Sequence, residues 1–284
     1  MCAAPNLDWS AAVRRRIEAA LEAALAGCPE LETVRAARYA TLGSGHRWRG
    51  LAAVAAAAAF CADAAERALP LAAALELMHA ASLVLDDLPS MDDAVVRRGK
   101  ACVHLAFPDW AVDLLPAFLV DLAQRVVAES AAAPAERRVR VLALLGEMGV
   151  QLAQGQELDL ALARRPVGEA ELLECYAQKS GAPFAAALAG GALLGGADEA
   201  AAAELRAAGT ELGQAYQLLD DVADGPEEDG AYREAGRVSA YRLFGPDATR
   251  ARAAALLERV AQRFARLGPA AERLRDLLAE MRGG

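Results

Sequence analysis

The chain has 284 residues, 55% of them hydrophobic and only 5% aromatic, with 30 Lys and Arg against 39 Asp and Glu for a net charge of −9. That length holds one large or two small domains with ample core, and the acid excess, with no basic patch, argues against a nucleic-acid partner. Five scattered cysteines with no CxxC pair indicate neither a disulfide framework nor a zinc site.

In chain order, the first predicted helix runs from Ser10 to Ala26 and stops at Gly27 and Pro29. Its Arg14, Arg15 and Arg16 are followed by Glu18 and Glu22, which reads as a solvated face. No secretion pattern is present there, so a cytoplasmic location is expected. Glu30–Leu42 follows and ends at the loop "GSGHRWRG", then Leu51–Ala62. The apolar run "LAAVAAAAAFCA" at 51–62 is too short and too alanine-rich to cross a bilayer, so no integral membrane segment is expected. Leu71–Leu85 leads into an aspartate-rich loop. After it come 109–130, with Pro116 near its first turns, then 135–163, 168–194, 199–223, 232–244, 247–266 and 269–282. No segment alternates like a strand, and no internal repeat or disordered linker is visible. The fold class is therefore all-α: one domain, residues 1–284, of about ten to eleven mostly antiparallel helices around a central cavity.

Two stretches of acid stand out. "LVLDDLPSMDDAVVRRGK" (83–100) places Asp86 and Asp87 at a helix C-terminus, where the dipole disfavours carboxylates by roughly 0.3–1 kcal/mol each. "QLLDDVAD" (217–224) repeats the oddity at what reads as a second helix end, with Asp220 and Asp224 sharing one face. Apolar residues precede both clusters, so the acids sit at the rim of a core, where unpaired charge is costly. A divalent cation reverses the sign of that term, and magnesium takes oxygen ligands from carboxylates and phosphates. Arg97, Arg98, Lys100 and Lys179 would complete a site for an anionic, phosphorylated substrate. If helical, Arg97 and Arg98 point about 100° apart, toward two different anions.

"DDLPSMDDAVVRRGKACVH" with "YQLLDDVAD" resembles the paired aspartate-rich motifs of trans-isoprenyl diphosphate synthases, nearest to the geranylgeranyl diphosphate synthases of bacterial carotenoid pathways. "ELMHAASL" (76–83), "GQELDL" (155–160), "QKSGAPF" (178–184) and "EAGRVSAYRLFG" (234–245) match in the same order, so the resemblance spans roughly residues 40–250. It implies an isoprenoid-synthase fold, a homodimer, and a head-to-tail transfer of an allylic group onto isopentenyl diphosphate. It further implies three Mg2+ ions held by Asp86, Asp87, Asp92, Asp220, Asp221 and Asp224. By the same mapping Arg97, Lys179, Ser180, Gln217 and Arg237 hold the allylic diphosphate, and His46, Arg49, His79 and Arg98 hold isopentenyl diphosphate. No protein nucleophile is implied. Ala81 and Ser82, one turn before Asp86, are too small to block a growing chain, which favours a twenty-carbon product. The tunnel floor is expected on the Ala52–Phe60 helix or at Phe118.

Departures from the pattern are also legible. His46 stands where the resemblance implies lysine, Gly50 where it implies proline, and "GPEEDGAYREAG" is short and lacks a lysine. "DLLPAFL" (113–119) replaces a Gly-Asp pair. Because histidine changes charge in the neutral range, a phosphate contact by His46 predicts a Michaelis constant for isopentenyl diphosphate that rises from about pH 6 to 8. The same slope in His46→Ala would refute that contact. His104 reads as a structural hydrogen bond, and Trp48, Trp110 and Tyr176 as packing. Two rivals share parts of the pattern. A class I terpene cyclase needs pocket aromatics and a different second metal motif; a regulatory subunit of a prenyl diphosphate synthase has no use for six destabilising acids. Turnover of the pure chain separates these.

Overall fold

The computed structural model describes residues 7–43, 45–163, 165–235 and 238–283, with the side chains of 7, 226–235 and 283 left aside. The long helices are α1 (Leu7–Ala26), α2 (Glu32–Thr41), α3 (Trp48–Ala58), α4 (Ala64–Asp86), α6 (Asp109–Ala128), α7 (Ala135–Leu162), α8 (Glu169–Tyr176), α9 (Ala182–Gly195), α10 (Glu199–Ala235), α12 (Pro246–Arg266) and α13 (Glu272–Gly283). Two short ones are α5 (Val103–Ala106) and α11 (Ala240–Phe244). The expected all-α bundle is what is observed.

Each helix is placed by its apolar stripe. In α1, Val13, Ile17, Leu21 and Leu25 recur every four residues and all are buried. Helix α9 is buried along its whole length and packs against α3, α4, α7 and α10. Alanine and glycine make up most of it, so its neighbours approach closely from every side. Helix α4 is long and apolar enough to cross a membrane, but 67% of its apolar window is buried inside the protein, as for a core helix.

Four expectations need correcting. The region 168–194 is not one regular helix: a π-helical turn, Ala177–Gly181, separates α8 from α9. Helix α10 does not stop at 223 but runs to Ala235, so the second acidic motif lies inside a helix and not at its end. Gly225 lies just past the expected helix end at 223; here it makes room for the Tyr241 ring, which a Cβ would meet at 2.5 Å. The predicted helix 232–244 is reduced to α11. Finally, Arg97 and Arg98 are not helical. They belong to a small antiparallel hairpin, β1 (Val96–Arg97) with β2 (Lys100–Ala101), whose Arg98-Gly99 turn takes φ of 51° and 75°.

Candidate active site

A cavity of about 960 Å3 lies between α4, α6 and α7 and opens toward α10 and the π-helical turn. Asp86 ends α4 at its mouth, and Ser82, Ala81 and Met78 line it on successive turns further down that helix. Pro116 and Val120 of α6 and Gly149 and Leu152 of α7 face them. A Cβ on Gly149 would lie 3.8 Å from Met78 Cε, so this methionine packs toward the α7 backbone on the cavity wall. The positions expected to form the floor are not on this wall. Phe118 does not line the cavity, and residues 52–57 are spent in the core against α9.

The six acids are not equivalent. Asp86 and Asp220 line the cavity. Burial pushes the Asp86 carboxyl up to about 6, with Lys179 opposing the rise and Asp92 adding to it. Asp87 is buried and held by Arg97 Nε at 2.7 Å. Asp221 has three donors: it accepts from the Tyr176 hydroxyl, from Ala240 N at 2.7 Å and from Gln217 Nε2 at 3.0 Å. Burial raises its titration point against those three donors. Asp92 and Asp224 have partners of their own and do not line the cavity. Among the described residues no three of these acids stand close enough to cage an ion by themselves.

The cations divide as the mapping requires, for a different geometric reason than helical spacing. Arg97, on β1, turns to Asp87, whereas Arg98, in the turn, reaches toward His79 Nε2 at 3.4 Å. Lys100 lies over the Tyr39 ring, 5.5 Å from its centroid, away from the cavity. Lys179 and Ser180 come from the π-helical turn, a distortion common at functional sites. Gly213 of α10 allows that approach, since any Cβ there would overlap the Ser180 carbonyl. Lys179 Nζ pairs with Asp159 at 2.6 Å, and Ser180 Oγ donates to Gln217 at 2.7 Å. Burial lowers the Lys179 ammonium's titration point, but Asp159 and Asp86 outweigh it and the net shift is upward.

Arg49 is half-buried, its Nε is enclosed without a hydrogen-bond partner, and its guanidinium stands 5.5 Å from the Phe184 ring centroid. A buried guanidinium N–H without an acceptor is costly, and other atoms of Arg49 line the cavity. Burial and the neighbouring Arg49, Arg98, Arg47 and Arg97 hold His79 well below the usual histidine range. It therefore offers a neutral imidazole to an anion. His46 is exposed at the cavity edge and stacks on Trp48, 5.7 Å between centroids. Arg237 lies outside the described residues.

Several functional positions escaped the sequence reading. Arg47, adjacent to the residues it did pick, is buried and bonds Glu18 (2.8 Å), Glu76 (3.3 Å) and the Thr41 carbonyl (2.6 Å). Glu76 also accepts from Gly50 N at 3.1 Å, so this pair fixes the start of α3 and hence Arg49. Tyr176 is not mere packing, since its hydroxyl holds Asp221 and also accepts from Ala240 N at 3.0 Å. Arg14 is not simply solvated: it donates to the His46 carbonyl at 2.9 Å and lies 5.3 Å over Trp48, which lines the cavity. Trp110 is 56% exposed and so is not a packing residue in this chain. His104 Nδ1 is buried without a partner, so the structural hydrogen bond expected of it is not made at that atom. The side chain alone signals none of these roles. Only "ELMH" with "HRWR" hinted at the Arg47–Glu76 pair, through opposite charges in otherwise apolar surroundings.

The donor set fits magnesium. Asp86 and Asp220 supply only oxygen, Asp86 is destabilised as an anion by burial, and Arg49, Arg97, Arg98 and Lys179 line the same cavity. Mg2+ is commonly held by one or two carboxylates plus phosphate oxygens, which does not require a three-acid cage.

An all-helical shell, a cavity apolar below and charged above, and acids facing cations across its mouth define an isoprenoid-synthase type of protein. Residues 31–234 match the family model described as polyprenyl synthetase, and the chain belongs to that family, the trans-isoprenyl diphosphate synthases. It is 34% identical over 196 residues to a geranylgeranyl diphosphate synthase of Pantoea ananas, covering 68% of this chain and 65% of that one. It is likewise 34% identical over 289 residues to a probable farnesyl diphosphate synthase of Sinorhizobium fredii, covering 95% and 85%. Among solved structures, an FPP/GFPP synthase from Zymomonas mobilis superposes with a TM-score of 0.85 at 30% identity, over 95% of this chain and 96% of that one.

Proposed function

We propose that this chain joins isopentenyl diphosphate to an allylic diphosphate, head to tail and trans, and that its main product is geranylgeranyl diphosphate. The observation that carries this reading is the single cavity with Asp86, Asp220, Arg98 and Lys179 above a lining of Ala81, Ser82 and Met78. Magnesium, when bound between Asp86, Asp87, Asp92 and Asp220, Asp221, Asp224, would supply positive charge to the departing diphosphate. Arg97, Lys179, Ser180, Gln217 and Arg237 orient that group. The allylic C–O bond breaks with its electron pair leaving on diphosphate, in a site where fixed cations favour the charge that develops. Arg49, Arg98, neutral His79 and His46 hold isopentenyl diphosphate so that its alkene meets the allylic cation. A C–C bond forms, and the released diphosphate takes the proton. The protein acts as a homodimer in the cytoplasm.

Relatives named for fifteen- and twenty-carbon products lie at equal identity, so the length argument rests on the wall of the cavity. Incubation of the pure chain with magnesium, isopentenyl diphosphate and each of the dimethylallyl, geranyl and farnesyl starters is expected to give twenty-carbon chains after phosphate removal. No transfer from any starter refutes the function, and chains ending at fifteen carbons refute the length. Ser82→Phe is expected to stop growth early. Met78→Ala widens the cavity at that wall and is expected to release chains longer than twenty carbons; an unchanged distribution would show that the Met78–Gly149 contact does not limit growth.

A further inference from the structure

Arg14 does not line the cavity, yet it touches the rim. Its Nε donates to the His46 carbonyl at 2.9 Å, its guanidinium carbon stands 5.3 Å from the Trp48 ring centroid, and its Nη2 donates to Glu280 Oε1 at 2.6 Å. His46 and Trp48, stacked with their planes 16° apart, both line the cavity. The carbonyl that Arg14 holds belongs to the peptide leading into Arg47, and Arg47 is left-handed, at φ 56° and ψ 32°. A residue with a side chain keeps that conformation only where its surroundings over-determine it. Here α1 supplies two grips, one turn apart on one face: Arg14 on the His46 carbonyl, and Glu18 on Arg47 Nε at 2.8 Å. Held so, the chain sends His46, Trp48 and Arg49 to the cavity and Arg47 to the core. It also sets Gly45 against Arg98, whose guanidinium a Cβ on that glycine would meet at 2.9 Å.

We infer that Arg14 is a positioning residue for the isopentenyl diphosphate half of the site, and that α13 acts on that half through the Glu280–Arg14 pair. This rests on the prenyl-transfer reading above. Residues 45–49 carry His46 and Arg49 and back Arg98, all assigned to isopentenyl diphosphate. The groups assigned to the allylic diphosphate come from the hairpin, the π-helical turn and α10. A loosened 45–49 segment therefore weakens one substrate and spares the other. Glu280 is well placed to hold the guanidinium still. Buried Leu274, Leu277 and Leu278 seat α13, which packs on α1 and α3. Glu280 is itself half-buried, and its Oε2 is enclosed without a hydrogen-bond partner, so the carboxylate leans on Arg14. The planar arginine fork fixes its donors in one geometry, which lets it serve carboxylate and carbonyl together. If the segment without Arg14 keeps its productive arrangement about a tenth of the time, apparent affinity falls by the same factor. One hydrogen bond to a charged group is enough to make that difference.

Arg14→Met keeps an aliphatic stem against Trp48 and removes every donor. It is expected to raise the Michaelis constant for isopentenyl diphosphate about tenfold, with kcat and the Michaelis constant for the allylic starter within about twofold of wild type. Partial unfolding does not imitate this split, because a smaller folded fraction lowers kcat and leaves both Michaelis constants alone. Glu280→Gln keeps the shape of the side chain and drops its charge. It is expected to raise the same constant about threefold, and to add nothing in an Arg14→Met background, as for a residue that acts through another. An isopentenyl diphosphate constant that Arg14→Met leaves unchanged, or equal rises for both substrates, overturns the inference. A Glu280→Gln effect that persists in full beside Arg14→Met overturns the part given to α13. If Arg14→Met fails to fold, Glu280→Gln decides alone, and an unchanged constant overturns the inference. A wild type that transfers no prenyl group refutes the function, and the inference falls with it; a wild type that transfers while Arg14→Met matches it in both constants overturns the inference alone.

Discussion

The Asp86→Asn enzyme is expected to lose about a thousandfold in kcat, the scale of removing one fixed charge-stabilising group, while its metal-free form becomes more heat-stable than wild type. The two effects share one cause. Asp86 ends α4, where the helix dipole already opposes a negative charge, and burial moves its carboxyl from an ordinary 3.8 to about 6. An acid that titrates higher in the folded than in the unfolded chain holds its proton more tightly when folded. Its penalty is absent below about pH 3.8, grows as pH rises, and is complete above about pH 6. At neutral pH the cost is on the order of 1–3 kcal/mol, which asparagine removes, for a gain of a few degrees at roughly 2–4 °C per kcal/mol. Magnesium with inorganic diphosphate is expected to raise the melting temperature of wild type and to leave that of Asp86→Asn unchanged. A variant that keeps a tenth of wild-type kcat, or that melts earlier than wild type without metal, contradicts a metal-bearing role.

Arg47→Ala is expected to be the most damaging change outside the reacting groups. Arg47 is 4% and Glu76 3% exposed, and the arginine also binds Glu18 and the Thr41 carbonyl. Removing one member of a buried pair leaves the other charge without compensation, which costs roughly 3–5 kcal/mol. The corresponding fall in melting temperature is roughly 6–20 °C. Arg49 lies two residues on and Gly50 N bonds Glu76 directly, so the Michaelis constant for isopentenyl diphosphate is expected to rise in step. Arg47→Met combined with Glu76→Gln removes both charges and keeps an acceptor for Gly50 N. It is expected to recover more than half of the lost stability, as buried pairs replaced by neutral groups often do. A double variant no better than Arg47→Ala would show that the Glu18 and Thr41 contacts dominate.

What was legible in sequence follows a simple rule. Periodicity showed the helices, because a helix buries one stripe wherever it lies. The two acidic motifs were visible because charge beside apolar sequence is costly unless something compensates it. Boundaries failed where a neighbour overrode local preference. Gly225 lies just past the expected helix end at 223, yet it makes room for Tyr241 while α10 runs on; Arg97 and Arg98, taken at helical spacing, belong to a hairpin whose turn is Arg98-Gly99.

By itself, the sequence determined the all-α class, the family and the short set of acids and cations that a diphosphate chemistry needs, since these are matters of residue type and spacing along one chain. Only the tertiary structure decided which acids face the cavity, that Tyr176 and Ala240 hold Asp221, and that Met78 meets Gly149. The reason is physical: hydrogen bonds and contacts between residues 19 to 71 positions apart depend on how helices pack, and helix packing leaves no period in the sequence.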